Sequence, residues 1–182
     1  MFMSRYLLLL VGIFCFQQTI AQVADEKAAP TLKSVLLQQY KTTWDKQEWF
    51  VPVEKGIAGI TAQQASWRPA DSSHSVGELA YHLLFWNKRL LDQFNGKKEA
   101  DFNGNNNQTF DAFTEASWNS IVQQLNQVMK DWEKAIETAD ETKLQSWYGN
   151  IANMNTHNAY HTGQILYIRK QAGNWDAAKG VK

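Results

Sequence analysis

Cysteine is nearly missing from this chain, and Cys15 is its only representative. That residue lies in a leading segment that reads as a secretory signal. Arg5 sits in a short polar start, the apolar run Leu7 to Phe16 follows, and Thr19-Ile20-Ala21 forms a small-residue cleavage site. Residues 1–21 are therefore expected to be removed, leaving a mature chain from Gln22 that is secreted or periplasmic. Such a chain has neither disulfides nor a nucleophilic thiol, so it depends on a packed core. Lipidation of Cys15 is disfavoured by the bulky Phe14 before it. A spanning helix needs about 20 apolar residues, and Gln17 and Gln18 interrupt this run, so no membrane anchor is expected after cleavage.

An excess of one charge is also missing. The 18 basic residues balance the 18 acidic ones, and loss of Arg5 leaves 17 against 18. This excludes the basic footprint of a nucleic-acid binder. The lysines at 97–98 and 130–134 are broken up by acidic neighbours and read as solvated helix faces. No stretch alternates with period two, and no internal repeat is visible, so neither a sheet nor a solenoid is indicated. What the chain does have is bulk: eight tryptophans and six phenylalanines in about 160 mature residues, enough for one domain with a substantial core.

Residues 22–30 are small and polar and form a lead-in to a single domain over 31–182. After Thr31, Leu32, Val35, Leu36, Tyr40 and Trp44 begin a helical spacing extended to about Lys55, with a kink or break expected at Val51-Pro52. Ser75 and Glu78 form a capping box for a second helix carrying Val76, Leu79, Leu83, Trp86, Leu90, Leu91 and Phe94, ended by Asn95-Gly96. Residues 96–113 are a long polar connection, as in a bundle that departs from up-and-down order. Thr114 caps a third helix with Trp118, Ile121, Val122, Leu125, Met129, Trp132 and Ile136 on one stripe. A short helical turn and loop over Ala139 to Gly149 precedes a last helix from about Ile151 to Ala172, stopped by Gly173, with Arg169 and Lys170 suited to its C-terminal dipole. The class is all-α, a four-helix bundle with a long crossover.

Within the last helix His157 and His161 stand at i and i+4, on one face with Met154, Asn158, Ile165 and Ile168. His82 lies between Leu79 and Trp86 on the inward arc of the second helix. A lone histidine on an apolar face is usually a hydrogen-bonded core residue. Two on one stripe with a third opposite would be costly to bury unless each has a partner, and a shared metal ion would serve all three. Spacing alone leaves both readings open. It does exclude other site types: Asn158 stands where HExxH peptidases place their glutamate, the paired Glu-x-x-His motifs of di-iron bundles are missing, and so is the Cys-x-x-Cys-His of covalent haem.

Four segments taken in order resemble the DinB-like superfamily: Trp67-Arg68-Pro69, then Ser75 to Leu83 (SVGELAYHL), the Ala116-Ser117-Trp118 helix start, and His157 to Gln164 (HNAYHTGQ). The resemblance runs from about Leu32 to Trp175. It implies a four-helix bundle with one divalent ion on His82, His157 and His161, zinc or nickel being well suited to imidazole. Gly163 and Gln164 match the family pattern, and a mid-helix glycine, which costs about 1 kcal/mol relative to alanine, suggests a close helix contact. Members are similar to thiol-dependent transferases and metal-dependent hydrolases. Homodimers are compatible with the family, though no residue pattern specifies one.

Three histidines leave a fourth position open on a tetrahedral ion, as in catalytic zinc, and water there can act as hydroxide near neutral pH. Because low-molecular-weight thiols are intracellular, the leading signal favours a metal-dependent hydrolase acting on a small molecule over a thiol transferase. The rival is a non-catalytic metal-binding or interaction protein of the cell envelope. A general base is hard to find, since residues 150–175 contain no Asp or Glu. Glu78 is a weak candidate that its capping role explains equally well. Trp67, Trp86, Trp147, Tyr148 and Tyr160 are candidate pocket walls, Gln164 is a candidate hydrogen-bond partner for a ligand or substrate, and His74 reads as a loop residue.

Overall fold

The computed structural model describes residues 29–70, 73–98 and 100–181. The signal segment and most of the lead-in lie outside the described residues. Six α-helices form the fold: α1 (Leu32–Trp44), α2 (Val53–Ile57), α3 (Ala62–Ser66), α4 (Val76–Phe94), α5 (Trp118–Thr138) and α6 (Glu141–Gln171). Among the described residues there is no strand, so the all-α class holds, and α1, α4, α5 and α6 make the bundle. No helix among the described residues is long and apolar enough to cross a membrane.

The long helices begin where local chemistry provides for their free amides. Thr31, Ser75 and Asp140 each accept a bond from a first-turn amide of α1, α4 and α6, and at α4 Glu78 returns the favour to the Ser75 N–H. Each helix then buries a stripe. Leu36, Tyr40 and Trp44 of α1 pack beside Leu79 and Leu83 of α4, Leu125, Met129 and Trp132 of α5, and Ile151 and Ile165 of α6 in one core. Burying each such side chain contributes roughly 1.5–3 kcal/mol. The Tyr40 hydroxyl, fully buried, donates to the Met129 carbonyl at 2.7 Å.

Helices α4 and α5 run parallel. Their far ends meet where Phe94 lies 5.2 Å from Trp132, and their near ends meet at Phe113 and Gly77. A parallel pair in succession needs a connection as long as the bundle, and residues 95–117 supply it, with 3-10 turns at Asn106–Phe110 and Glu115–Ser117. Gly77 is required here, because a Cβ would sit 2.2 Å from the Phe113 ring.

Three boundaries differ from the sequence reading. Helix α1 stops at Trp44, where its apolar stripe ends; Lys46 to Glu48 follow and Trp49 is 91% exposed. Pro52 then starts α2 rather than kinking α1, its fixed φ suiting the position before a first turn. Helix α6 begins at Glu141, capped by Asp140, and passes unbroken through Gly149, because Leu144 and Ile151 on either side are fully buried and hold the helix despite the glycine.

Arg169 also does something other than complement its own helix end. Its buried guanidinium donates to the carbonyls of Gly56 (2.7 Å) and Ala58 (3.0 Å), closing the C-terminal end of α2, and to that of Asn174. Burial lowers its pKa.

Candidate metal centre

His82 on α4 and His157 and His161 on α6 converge, offering ring nitrogens that all lie within 4.8 Å of one another. Helices α4 and α6 are antiparallel neighbours, so the inward arc of one faces the i, i+4 pair of the other. His157 Nε2 is 3.0 Å from His82 Nε2 and 3.1 Å from His161 Nε2. Three nitrogens on a tetrahedral zinc are about 3.3 Å apart, given bonds of 2.0–2.1 Å. The two sides that meet at His157 are close to that length, and the third is within 4.8 Å.

Proton positions follow from the partners on the other side of each ring. The Thr109 hydroxyl donates to the Asn106 carbonyl at 2.6 Å, so its oxygen accepts from His82 Nδ1–H, also at 2.6 Å. The Gln164 carbonyl oxygen accepts from His161 Nδ1–H at 2.7 Å, while its amide donates to the Tyr160 hydroxyl at 3.2 Å. Both rings thus carry their proton on Nδ1 and turn an Nε2 lone pair toward His157. A neutral His157 has at most one N–H to offer on that side, so at least one of the two Nε2 contacts sets lone pair against lone pair. A cation at the centre removes that conflict, and the three histidines fit the demands of a divalent ion.

All three are neutral near pH 7, the form that coordinates. Burial, and after it the neighbouring imidazoles, pushes His82 down to about 3. Burial and His161 push His157 down to about 4. Burial lowers His161 as well, against the opposing effect of its bond to Gln164. Among the described residues no fourth histidine, cysteine or carboxylate joins the group.

Sequence reasoning missed Thr109 and Phe110, which the crossover delivers to His82. Phe110 is stacked between His82 (centroids 4.0 Å apart, planes 4° apart) and His74 (3.8 Å, 8°). His74 is therefore more than a loop residue, though it lies on the far side of Phe110 from the three histidines. A polar crossover gave no local signal for these contacts, which span 27 residues between His82 and Thr109.

Glu78 is buried with both carboxylate oxygens engaged, one by the Arg68 guanidinium and the other by the Ser75 N–H at 2.7 Å, with His74 Nδ1 3.9 Å away. Those contacts account for it structurally. Asn158 turns from the histidines to Asn87 of α4, and the two amides exchange bonds of 2.8 and 3.1 Å. Gly163 makes no close helix contact, since a Cβ there would meet nothing within 4 Å. It lines a cavity instead.

Two cavities flank the cluster. One, of about 520 Å³, contains all three histidines, with Trp86, Leu90, Phe110, Met154 and Tyr160 in its walls. The other, of about 510 Å³, lies beyond His161 and is lined by His74, Gly163, Gln164 and Tyr167 among others. Of the aromatic candidates, Trp86 and Tyr160 reach the histidines. Trp147 packs on Phe94, Tyr148 is exposed, and Trp67 lines a separate depression.

A family model described as the DinB superfamily matches residues 53–165, which include α2 to α5, all three histidines and most of α6. No curated protein and no solved structure matches the chain.

Proposed function

The chain belongs to the DinB superfamily, and from that membership we propose that it is an exported protein holding one divalent ion, zinc or nickel, on His82, His157 and His161, and acting as a metal-dependent hydrolase on a small molecule. The observation that carries the metal reading is the pair of Nε2 contacts, at 3.0 and 3.1 Å, that His157 makes with His82 and His161, whose Nδ1 atoms are already committed to Thr109 and Gln164. The open cavity beside the three rings supports a substrate position. Export rests on the leading segment.

An ion held there supplies Lewis acidity toward water or a carbonyl oxygen. The protein's own residues do the rest. Thr109 and Gln164 fix the tautomers and ring orientations of His82 and His161, the kind of outer contact whose loss typically weakens a metal site 10–100-fold. Phe110 and Trp86 keep water from one side of His82. Tyr160, 62% exposed, places its hydroxyl at the rim, next to Gln164.

A second reading, a non-catalytic metal-binding protein, draws support from one observation: among the described residues no Asp or Glu lines the histidine cavity, so none of them stands there as a carboxylate base. Elemental mass spectrometry of the chain lacking residues 1–21 tests the metal, and hydrolysis of model esters and amides separates the two readings. About one divalent ion per chain, lost in His157→Ala, is the expected result. No ion after reconstitution overturns both.

A further inference from the structure

The histidine cavity is a groove with a direction. His82, Trp86 and Leu90 succeed one another at i, i+4 and i+8 on α4, while His161, His157 and Asn153 do the same in reverse on the antiparallel α6. At 1.5 Å per residue each row is about 12 Å long. His82 and His161 stand at one end, His157 reaches them from the middle of the α6 row, and Leu90 and Asn153 stand at the other end. Phe110 and Asn106 of the crossover form a side wall, and Met154 lies in the floor.

Among the described residues the lining contains no Lys, Arg, Asp or Glu. Lys88, Arg89 and Asp92 of α4 line a separate depression, with Lys88 bonded to Asp92 at 2.9 Å, and Glu78, a turn before His82, is engaged by Arg68 and the Ser75 N–H. An anionic or cationic substituent far along the groove would lose water without gaining a partner, which is costly. An apolar one would be stabilised by Trp86, Leu90 and Met154 in proportion to the area it covers.

We propose that the groove binds an amphiphilic small molecule with a single oxygen or nitrogen donor head at the histidines and an uncharged aromatic or aliphatic arm along Trp86 and Leu90. The volume of about 520 Å³ is in the range of small-molecule sites, and the stretch from Trp86 to Leu90 beyond the histidines, about 6 Å long, accommodates an aryl group or a short aliphatic chain. For a hydrolase this means esters, amides or lactones of apolar acids or alcohols rather than phosphorylated or multiply charged compounds. This inference rests on the metal reading above for the head and on the groove itself for the arm.

Titration calorimetry on the zinc-loaded chain tests it with three hydroxamates that share one head. Benzohydroxamate is expected to bind at least tenfold more tightly than acetohydroxamate and than 4-carboxybenzohydroxamate. Leu90→Asp, with zinc content as the check that it has folded, should erase the advantage of the phenyl arm. Equal affinities for the three, or preference for the carboxylated probe, would overturn the proposal while leaving the metal site standing. If the chain takes up no zinc, saturation-transfer NMR of the metal-free protein with benzamide decides the arm alone. Binding that Leu90→Asp abolishes supports the apolar groove, and no binding overturns it.

Discussion

Helices α4 and α6 hold two buried polar clusters little more than a turn apart, and the two are solved differently. Asn87 and Asn158 close on each other. Each amide gives and receives a bond, Asn87 also donates to the Leu83 carbonyl, and the backbone carbonyls of Asn87 and Asn158 accept from Trp132 and Thr162. His82 and His161 are satisfied on their outer side, by Thr109 and Gln164, and turn their lone pairs inward to His157. A closed polar cluster fixes register between helices. An open one keeps binding capacity, at a cost in stability until something fills it.

Breaking the closed cluster should have the largest effect. Asn158→Ala leaves the Asn87 amide buried with both its bonds to residue 158 unmade and only that to the Leu83 carbonyl kept, and a loss of about 3 kcal/mol is expected in urea unfolding, the same with or without added metal. Breaking the open cluster should do the reverse. His157→Ala is expected to leave the metal-free protein within about 1 kcal/mol of the parent, yet to abolish the gain of about 2.7 kcal/mol that a free ion at a hundred times its dissociation constant gives the parent. Thermal melts with and without zinc measure both halves.

The outer contacts sharpen the contrast further. Thr109→Val removes the acceptor that holds His82 Nδ1–H, and metal affinity should fall about 10–100-fold, that is about 1.4–2.7 kcal/mol. Thr109→Ser should restore it, as competition with a chromophoric chelator will show. Acid separates the clusters most finely. The imidazoles have folded pKa values below their unfolded value near 6.5, with His82 at about 3 and His157 at about 4. Between those limits the unfolded chain binds more protons than the folded one, so metal-free stability is complete above about pH 6.5 and declines as pH falls toward 3. Each such imidazole adds a slope of at most about 1.4 kcal/mol per pH unit. His157→Ala should flatten the profile and Asn158→Ala should lower it without changing its shape.

The same division explains what could be read from the sequence. The starts of α1 and α4, the α5 stripe and the i, i+4 histidines are local patterns of caps and 3.6-residue periodicity, and they were legible. So was the long crossover, because a polar run of that length has few other uses in a bundle. The unbroken start of α6 was not, since burial of Leu144 and Ile151 outweighs Gly149 and burial is a tertiary quantity. Nor were α3, capped by Thr61, the pairing of Asn87 with Asn158 across 71 residues, or the place of Thr109. A threonine in an asparagine-rich loop looks like any other until the loop is laid against the helix it crosses.

The parallel run of α4 and α5 has a consequence for how such a protein changes over time. A connection obliged to travel the length of the bundle passes the groove whatever its residues are, and here it contributes Asn106 and Phe110 to one wall. Within that connection Phe110 is buried in the core and Thr109 holds His82, while residues 103–108 are exposed, and loops tolerate replacement far better than core helices do. Redrawing what enters the groove is thereby separated from holding the helices together. Exchange of residues 103–108 for another stretch of equal length, with Thr109 and Phe110 kept, alters the clientele and spares the architecture.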